Sequence, residues 1–151
     1  MNRIPGVLLL IIAFTLFSCS KGPVPIEYGV HECHHCSMVI MDNRYGTEIV
    51  LNTGKAYMFD AIECMVGYLK RDDQISGDIY QLLLTDYNEP GRLVDARSSY
   101  ILHSKNLPSP MGMFLTGFST AEAAKAAMAT HPGQIYTWDE LVANFDLLHL
   151  D

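Results

Sequence analysis

One local grammar occurs twice in this chain, and that repetition limits the fold more than any other feature. Residues 47–51 and 55–59 are short apolar runs on either side of Asn52-Thr53-Gly54, a hairpin signal with Gly at the turn. Asp60-Ala61-Ile62-Glu63 follows, with a carboxylate at a helix N-cap position and Glu three residues later, the capping-box pattern. The helix it opens carries Ile62, Met65, Val66 and Leu69 on one face and ends on Lys70-Arg71, which complement the dipole. Residues 79–85 read as a buried strand. Near residue 92 the pattern begins again. Residues 99–103 and 113–118 are strand candidates around the turn-rich Asn106-Leu107-Pro108-Ser109-Pro110, and Ser119-Thr120-Ala121-Glu122 is a second capping box. An Ala-rich helix over 121–130 stops at Pro132-Gly133, residues 134–138 close as a strand, and 139–145 form a short terminal helix. Phe59-Asp60-x-x-Glu63 and Phe118-Ser119-x-x-Glu122 hold equivalent places. The expectation is an α+β fold of two pseudo-repeated ββαβ units, over 28–90 and 91–151.

The N-terminus reads as an address. Arg3 is the only charge before the apolar run 7–17, which is broken by Thr15 and has the length of a signal-peptide h-region, short for a bilayer span. It ends in Leu16-Phe17-Ser18-Cys19, which resembles a lipobox: residues 1–18 would be removed and Cys19 acylated. Residues 19–27, with Ser20-Lys21-Gly22-Pro23-Val24-Pro25, then form a tether. Several acyl chains would hold the protein stably on the periplasmic face of a bacterial membrane, and Ser20 after the cysteine points to the outer one. Formal net charge is −7 and no Lys/Arg cluster exceeds Lys70-Arg71, which argues against nucleic acid as a partner.

Lipid on Cys19 leaves Cys33, Cys36 and Cys64 of the four cysteines. An odd number in an oxidising compartment leaves at least one thiol outside any intramolecular disulfide. Cys33-His34-His35-Cys36-Ser37-Met38 is the densest chemistry in the chain. Two thiols at this spacing can chelate a metal, cycle as a dithiol, or form a static bridge. A structural zinc site normally takes four ligands; there is no second pair, though His31, His34, His35 and Cys64 could complete one. A thioredoxin-like site wants its pair opening a helix, whereas here Met38-Val39-Ile40-Met41 follows and reads as a buried strand.

Methionine tilts this balance toward a soft ion, because thioether and thiolate together favour Cu(I). Met38 lies two residues after Cys36, and on a strand the two share a face. Cys33 falls in the looser segment before it. Met111-Gly112-Met113 follows the rigid Pro108-Ser109-Pro110 and is easier to present to solvent than to bury. Met41, Met58, Met65 and Met128 read as core residues. His103 is a candidate fourth ligand near the Met111 loop, and His131 sits at a helix end before Pro132. Asp60 and Glu63 read as caps. No nucleophilic triad, phosphate loop or dinucleotide fingerprint is legible, so the chain does not read as an enzyme.

Cys33-x-His35-Cys36-x-Met38, Phe59-Asp60 opening a helix with Cys64-Met65, and Ser109-Pro110-Met111-Gly112 together resemble the NosL family, lipoprotein copper chaperones associated with nitrous oxide reductase maturation. The resemblance covers most of residues 30–140. It implies two small ββαβ units that bind Cu(I) and pass it to apo-nitrous oxide reductase or its assembly machinery. At fold level the chain also resembles the small domain of organomercurial lyase, from which no lyase activity follows. Two positions depart from the family pattern: Ser37 stands where the family usually has Gly, and Met113 where relatives often carry His or another residue. The expected ligand set is Cys36 and Met38 from the first unit with Met111 and Met113 from the second. Cys33 is either a further ligand or the partner of Cys36 in a resting disulfide. The rival readings are a periplasmic thiol–disulfide oxidoreductase using Cys33 and Cys36, and a non-transferring lipoprotein with a zinc or disulfide staple.

Overall fold

The first hairpin turns at Asn52-Thr53-Gly54, where Gly54 takes a φ of +84° that a side chain would resist. It joins β1 (Thr47–Leu51) to β2 (Ala56–Phe59), antiparallel, with Thr47 opposite Phe59 and Val50 opposite Ala56. After α1 (Ile62–Arg71) the chain returns as β3 (Ile79–Thr85) along the other edge of β1, with Thr47 opposite Leu84. A short β4 (Leu93–Asp95) extends this sheet past residue 90, giving the order β2-β1-β3-β4. The second unit repeats the path: β5 (Tyr100–His103), β6 (Leu115–Phe118), α2 (Ala121–Thr130) and β7 (Gln134–Thr137), in the order β6-β5-β7. In each unit the helix carries the chain from the strand on one side of the first strand to the strand on its other side. The ββαβ repeat is therefore present in topology as well as in sequence. A terminal α3 (Trp138–Leu148) starts at Trp138, which the sequence pattern had assigned to the closing strand. This computed structural model describes residues 22–71, 75 and 78–148; the expected export segment, Cys19 and His149 lie outside them.

The two units share a core. Trp138, Leu141 and Phe145 of α3 join Ile101 and Leu115 in one buried cluster with Ile49, Phe59, Ile62, Met65 and Leu84 of the first unit. Gly117 lets β6 approach β3: a Cβ there would lie 2.6 Å from Leu84 Cδ1 and 3.1 Å from the Thr85 carbonyl. On β1, Thr47 Oγ1 donates to the Ala61 carbonyl, so that face looks toward the start of α1. Glu48 alternates to the other face, where its buried carboxylate accepts the Val24 N–H at 2.8 Å and fixes the incoming tether on the sheet. Burial pushes the Glu48 carboxyl above its ordinary range, and the Val24 bond opposes that shift.

Three local expectations change. Met38-Val39-Ile40-Met41 is not a buried strand: only a single Glu32–Val39 bridge forms, Ile40 alone is buried, and Met38, Val39 and Met41 are exposed. Met41, expected in the core, is 69% exposed. Both helices are also capped one residue later than the capping-box pattern suggests. The carbonyls of Ala61 and Thr120 accept the first helical bonds, from Met65 and Ala124, and Thr120 Oγ1 accepts the Ala123 N–H at 3.2 Å. That shift frees the preceding side chains: Ser119 donates to Asp86, and Asp60 is buried beside Cys33.

Candidate metal centre

The loop carrying Cys33 and Cys36 is a tight turn, not an extended segment. Ser37 N–H donates to the Cys33 carbonyl at 2.8 Å, and Cys33 N–H to the Met38 carbonyl at 2.8 Å. Closing it requires Ser37 at φ +63°, in the left-handed region. His34 anchors the turn to β2: its N–H donates to the Met58 carbonyl at 2.9 Å, and its Nδ1 accepts the Met58 N–H at 3.2 Å. The docked turn meets the beginning of α1, and the sulfurs of Cys33, Cys36 and Cys64 all lie within 4.8 Å of one another. All three are free thiols, with Cys33 and Cys64 buried and Cys36 partly exposed.

This arrangement separates the thiols electrostatically. A hydrogen bond from Cys64 is the largest effect on Cys33 and holds it well below the usual thiol range; burial opposes this, and the backbone N–H groups of Cys36, Asp60 and His35 reinforce it. Cys64, the donor in that pair, is pushed up by the same bond and by burial. Cys36 is raised by burial first. These shifts favour the thiolate on Cys33, at the amide-rich entrance to α1, and the protonated thiol on Cys36 and Cys64. Burial, and then the Cys33 charge, push the Asp60 carboxyl up to about 6.

Cys64 also opens onto a cleft of ≈ 490 Å³ shared with His35, Glu63, Gly67, Met111 and Met113. His35 packs on Gly67, where a Cβ would lie 3.1 Å from Nε2, and burial lowers its pKa, favouring the neutral imidazole. The second unit thus brings its two thioethers to the same opening. Met111 is 38% exposed and Met113 half-buried. Lys70 and Asp146 close the far rim with an exposed ion pair at 2.7 Å, which contributes little to stability.

The structure unites Cys33 and Cys36, and places Met111 and Met113 together in the cleft onto which Cys64 opens. Met38 goes elsewhere. The left-handed turn at Ser37 sends it to a separate groove with Asp60, Pro108, Ser109 and Pro110, so the shared strand face with Cys36 does not form. Cys33 is not loose: it is 2% exposed and bonded through its own N–H. His103 lines a neighbouring groove with Met111 and Met113. His31 Nδ1 accepts the Glu27 N–H, and His131 N–H caps the Ala127 carbonyl. Cys64 is the residue missing from the expected ligand set. Its signal was the odd cysteine count, but its place among Ile62, Met65 and Val66 reads as core packing.

The left-handed turn carries a testable cost. An L-residue there is disfavoured by roughly 1–2 kcal/mol, whereas Gly adopts that region freely. Ser37→Gly is expected to stabilise the domain by about 1 kcal/mol, a rise in Tm of several degrees by calorimetry. An unchanged or lower Tm would mean that the Ser37 side chain compensates for the strain.

Comparison with known proteins identifies the family and the fold. Residues 23–145 match the NosL family model. The chain is 25% identical over 150 residues to the copper-binding lipoprotein NosL of Stutzerimonas stutzeri, covering 89% of this chain and 78% of that protein. Its fold matches the crystal structure of the copper chaperone NosL from Shewanella denitrificans with a TM-score of 0.68 at 22% identity, over 80% of this chain and 96% of the other. With the family match running from the tether through the thiol turn and the Met loop to α3, this chain belongs to the NosL family.

Proposed function

We propose that this protein is a Cu(I) carrier, held on the periplasmic face of a bacterial membrane by acylated Cys19, that delivers copper for maturation of nitrous oxide reductase. The observation carrying this reading is the meeting of three reduced thiols within 4.8 Å beside a thioether-lined cleft. Thiolate and thioether donors select Cu(I) over harder ions. Cys33, Cys36 and Cys64 hold the ion, and Met111 and Met113 stand at the opening where an acceptor's ligands would enter. A partly open soft site suits handover better than a closed four-ligand cage, which would retain its metal. Family membership and the copper-binding lipoprotein among the relatives support the cargo and the anchor. Ser20 after the cysteine favours the outer over the inner membrane.

The dithiol-oxidoreductase reading fits less well. Attack on a disulfide needs an accessible thiolate. Here the depressed thiol, Cys33, is the buried one, and the more accessible Cys36 is raised. The test is an anaerobic competition of the reduced domain against a chromophoric Cu(I) chelator, followed by a Zn(II) challenge and incubation with apo-nitrous oxide reductase. About one copper per chain should survive excess zinc and pass to the reductase. Displacement by zinc would favour the structural staple. Retention of Cu(I) without transfer would remove the delivery role and leave a copper-binding protein.

A further inference from the structure

We propose that Glu63 and Ser109 form a clasp between the two units that positions Met111 and Met113 at the mouth of the thiol site; this rests on the Cu(I) reading above. As a capping residue, Glu63 would be an exposed side chain near the start of α1. Instead it is 5% exposed and reaches across to the second unit, where its Oε1 accepts from Ser109 Oγ. Burial pushes the Glu63 carboxyl above its ordinary range, while the Ser109 bond and then the backbone N–H groups of Glu63 itself, Met113 and Met111 oppose that shift. A carboxylate is costly to bury and is retained there only if such partners hold it.

Ser109 ties the loop at both ends. Its Oγ accepts the Phe114 N–H at 2.9 Å, and its carbonyl accepts the Gly112 N–H at 3.0 Å. Between these bonds the backbone passes through two left-handed residues, Gly112 at φ +78° and Phe114 at φ +60°. Phe114 is an unfavourable residue for that region, so the surrounding bonds must enforce the conformation. Glu63 directly precedes Cys64 on α1. The residue that grips the methionine loop is therefore fixed to the same helical turn as the thiol, which sets the spacing between the two donor types. Glu63 and Ser109 are positioning residues, acting through Met111 and Met113.

The test combines three measurements on the lipid-free domain: thiol counting, Cu(I) affinity by chelator competition, and the methionine methyl NMR resonances of the metal-free protein. Ser109→Ala should shift the Met111 and Met113 methyl signals, leave three reactive thiols, and weaken Cu(I) binding about tenfold, the scale of outer-shell losses at metal sites. Glu63→Ala should do the same, and Glu63→Gln, which keeps an acceptor oxygen, should recover most of that loss. In a Met111→Leu/Met113→Leu background, Ser109→Ala should weaken binding no further. Wild-type methyl signals in Ser109→Ala overturn the clasp, as does an equal copper loss with and without the methionines. If Ser109→Ala fails to fold, the contrast between Glu63→Ala and Glu63→Gln decides. If the wild type binds no Cu(I), the carrier reading fails, while the methyl shifts still show whether the clasp exists.

Discussion

Cys64→Ser is expected to weaken Cu(I) binding by more than about 100-fold, the upper end of what outer-shell substitutions cost a metal site. The reasoning depends on what serine keeps. Cys64 has two roles in the reduced protein: a sulfur within 4.8 Å of two others, and the hydrogen-bond donor that most lowers Cys33. A serine hydroxyl can still donate to the Cys33 thiolate, but it is a hard, protonated oxygen that Cu(I) does not favour. Cys64→Ser therefore isolates the ligand role, whereas Cys64→Ala removes both. Thiol reactivity against pH should show Cys33 still depressed in the serine variant and shifted back upward in the alanine variant. Met65→Leu, one residue on and fully buried, should bind copper normally, as a volume-conserving core change. Near-normal Cu(I) affinity in Cys64→Ser would confine the site to the Cys33–Cys36 turn and leave Cys64 a packing residue.

The parts of this molecule that were legible in the sequence are those specified by neighbours in the chain. Short apolar runs and Gly54 mark the β1–β2 hairpin, and the returning pattern after residue 92 marks the second unit, because these signals act over a few residues. The site was legible only in pieces. Cys33 and Cys36 announce themselves by spacing, and Met111 by its place after Pro108-Ser109-Pro110. What brings Cys64 to them is the docking of the turn on β2 through His34 and Met58, a contact spanning 24 residues with no local trace. Met38 was misplaced for a related reason. An apolar run of four residues suits a strand, but one left-handed residue, Ser37, redirects the chain before the run begins. Glu63 matched a capping box by residue type while serving a partner 46 positions away. A short motif gives the residue types a local role allows, and tertiary contacts then assign a different one.

Between pH 6.5 and 8.5 the apparent Cu(I) affinity should rise by about 10⁴-fold, after correction for the chelator, if all three thiols bind the ion as thiolates. The sign follows from the state of the reduced trio. Cys33 is held well below the usual thiol range, so it is already ionised across this window and releases no proton on binding. Cys36 and Cys64 are raised, so both are protonated there and each must lose its proton to become a thiolate ligand. Every proton displaced makes binding about tenfold tighter per pH unit, giving a slope of two in the logarithm of affinity. The slope is read in the upper part of the window, because the Asp60 carboxyl, pushed up to about 6 and responsive to the Cys33 charge, is still completing its titration at the lower end. A slope near one would mean that one of the two raised thiols stays out of the coordination sphere, leaving room for a thioether of Met111 or Met113, which binds without releasing a proton. A flat profile would mean that no thiol beyond Cys33 is ionised on binding, and the three-thiol site would be wrong. The same titration on Cys64→Ser should lose one unit of slope. That loss ties the proton count to a named sulfur and separates a three-thiolate site from one completed by the second unit's methionines.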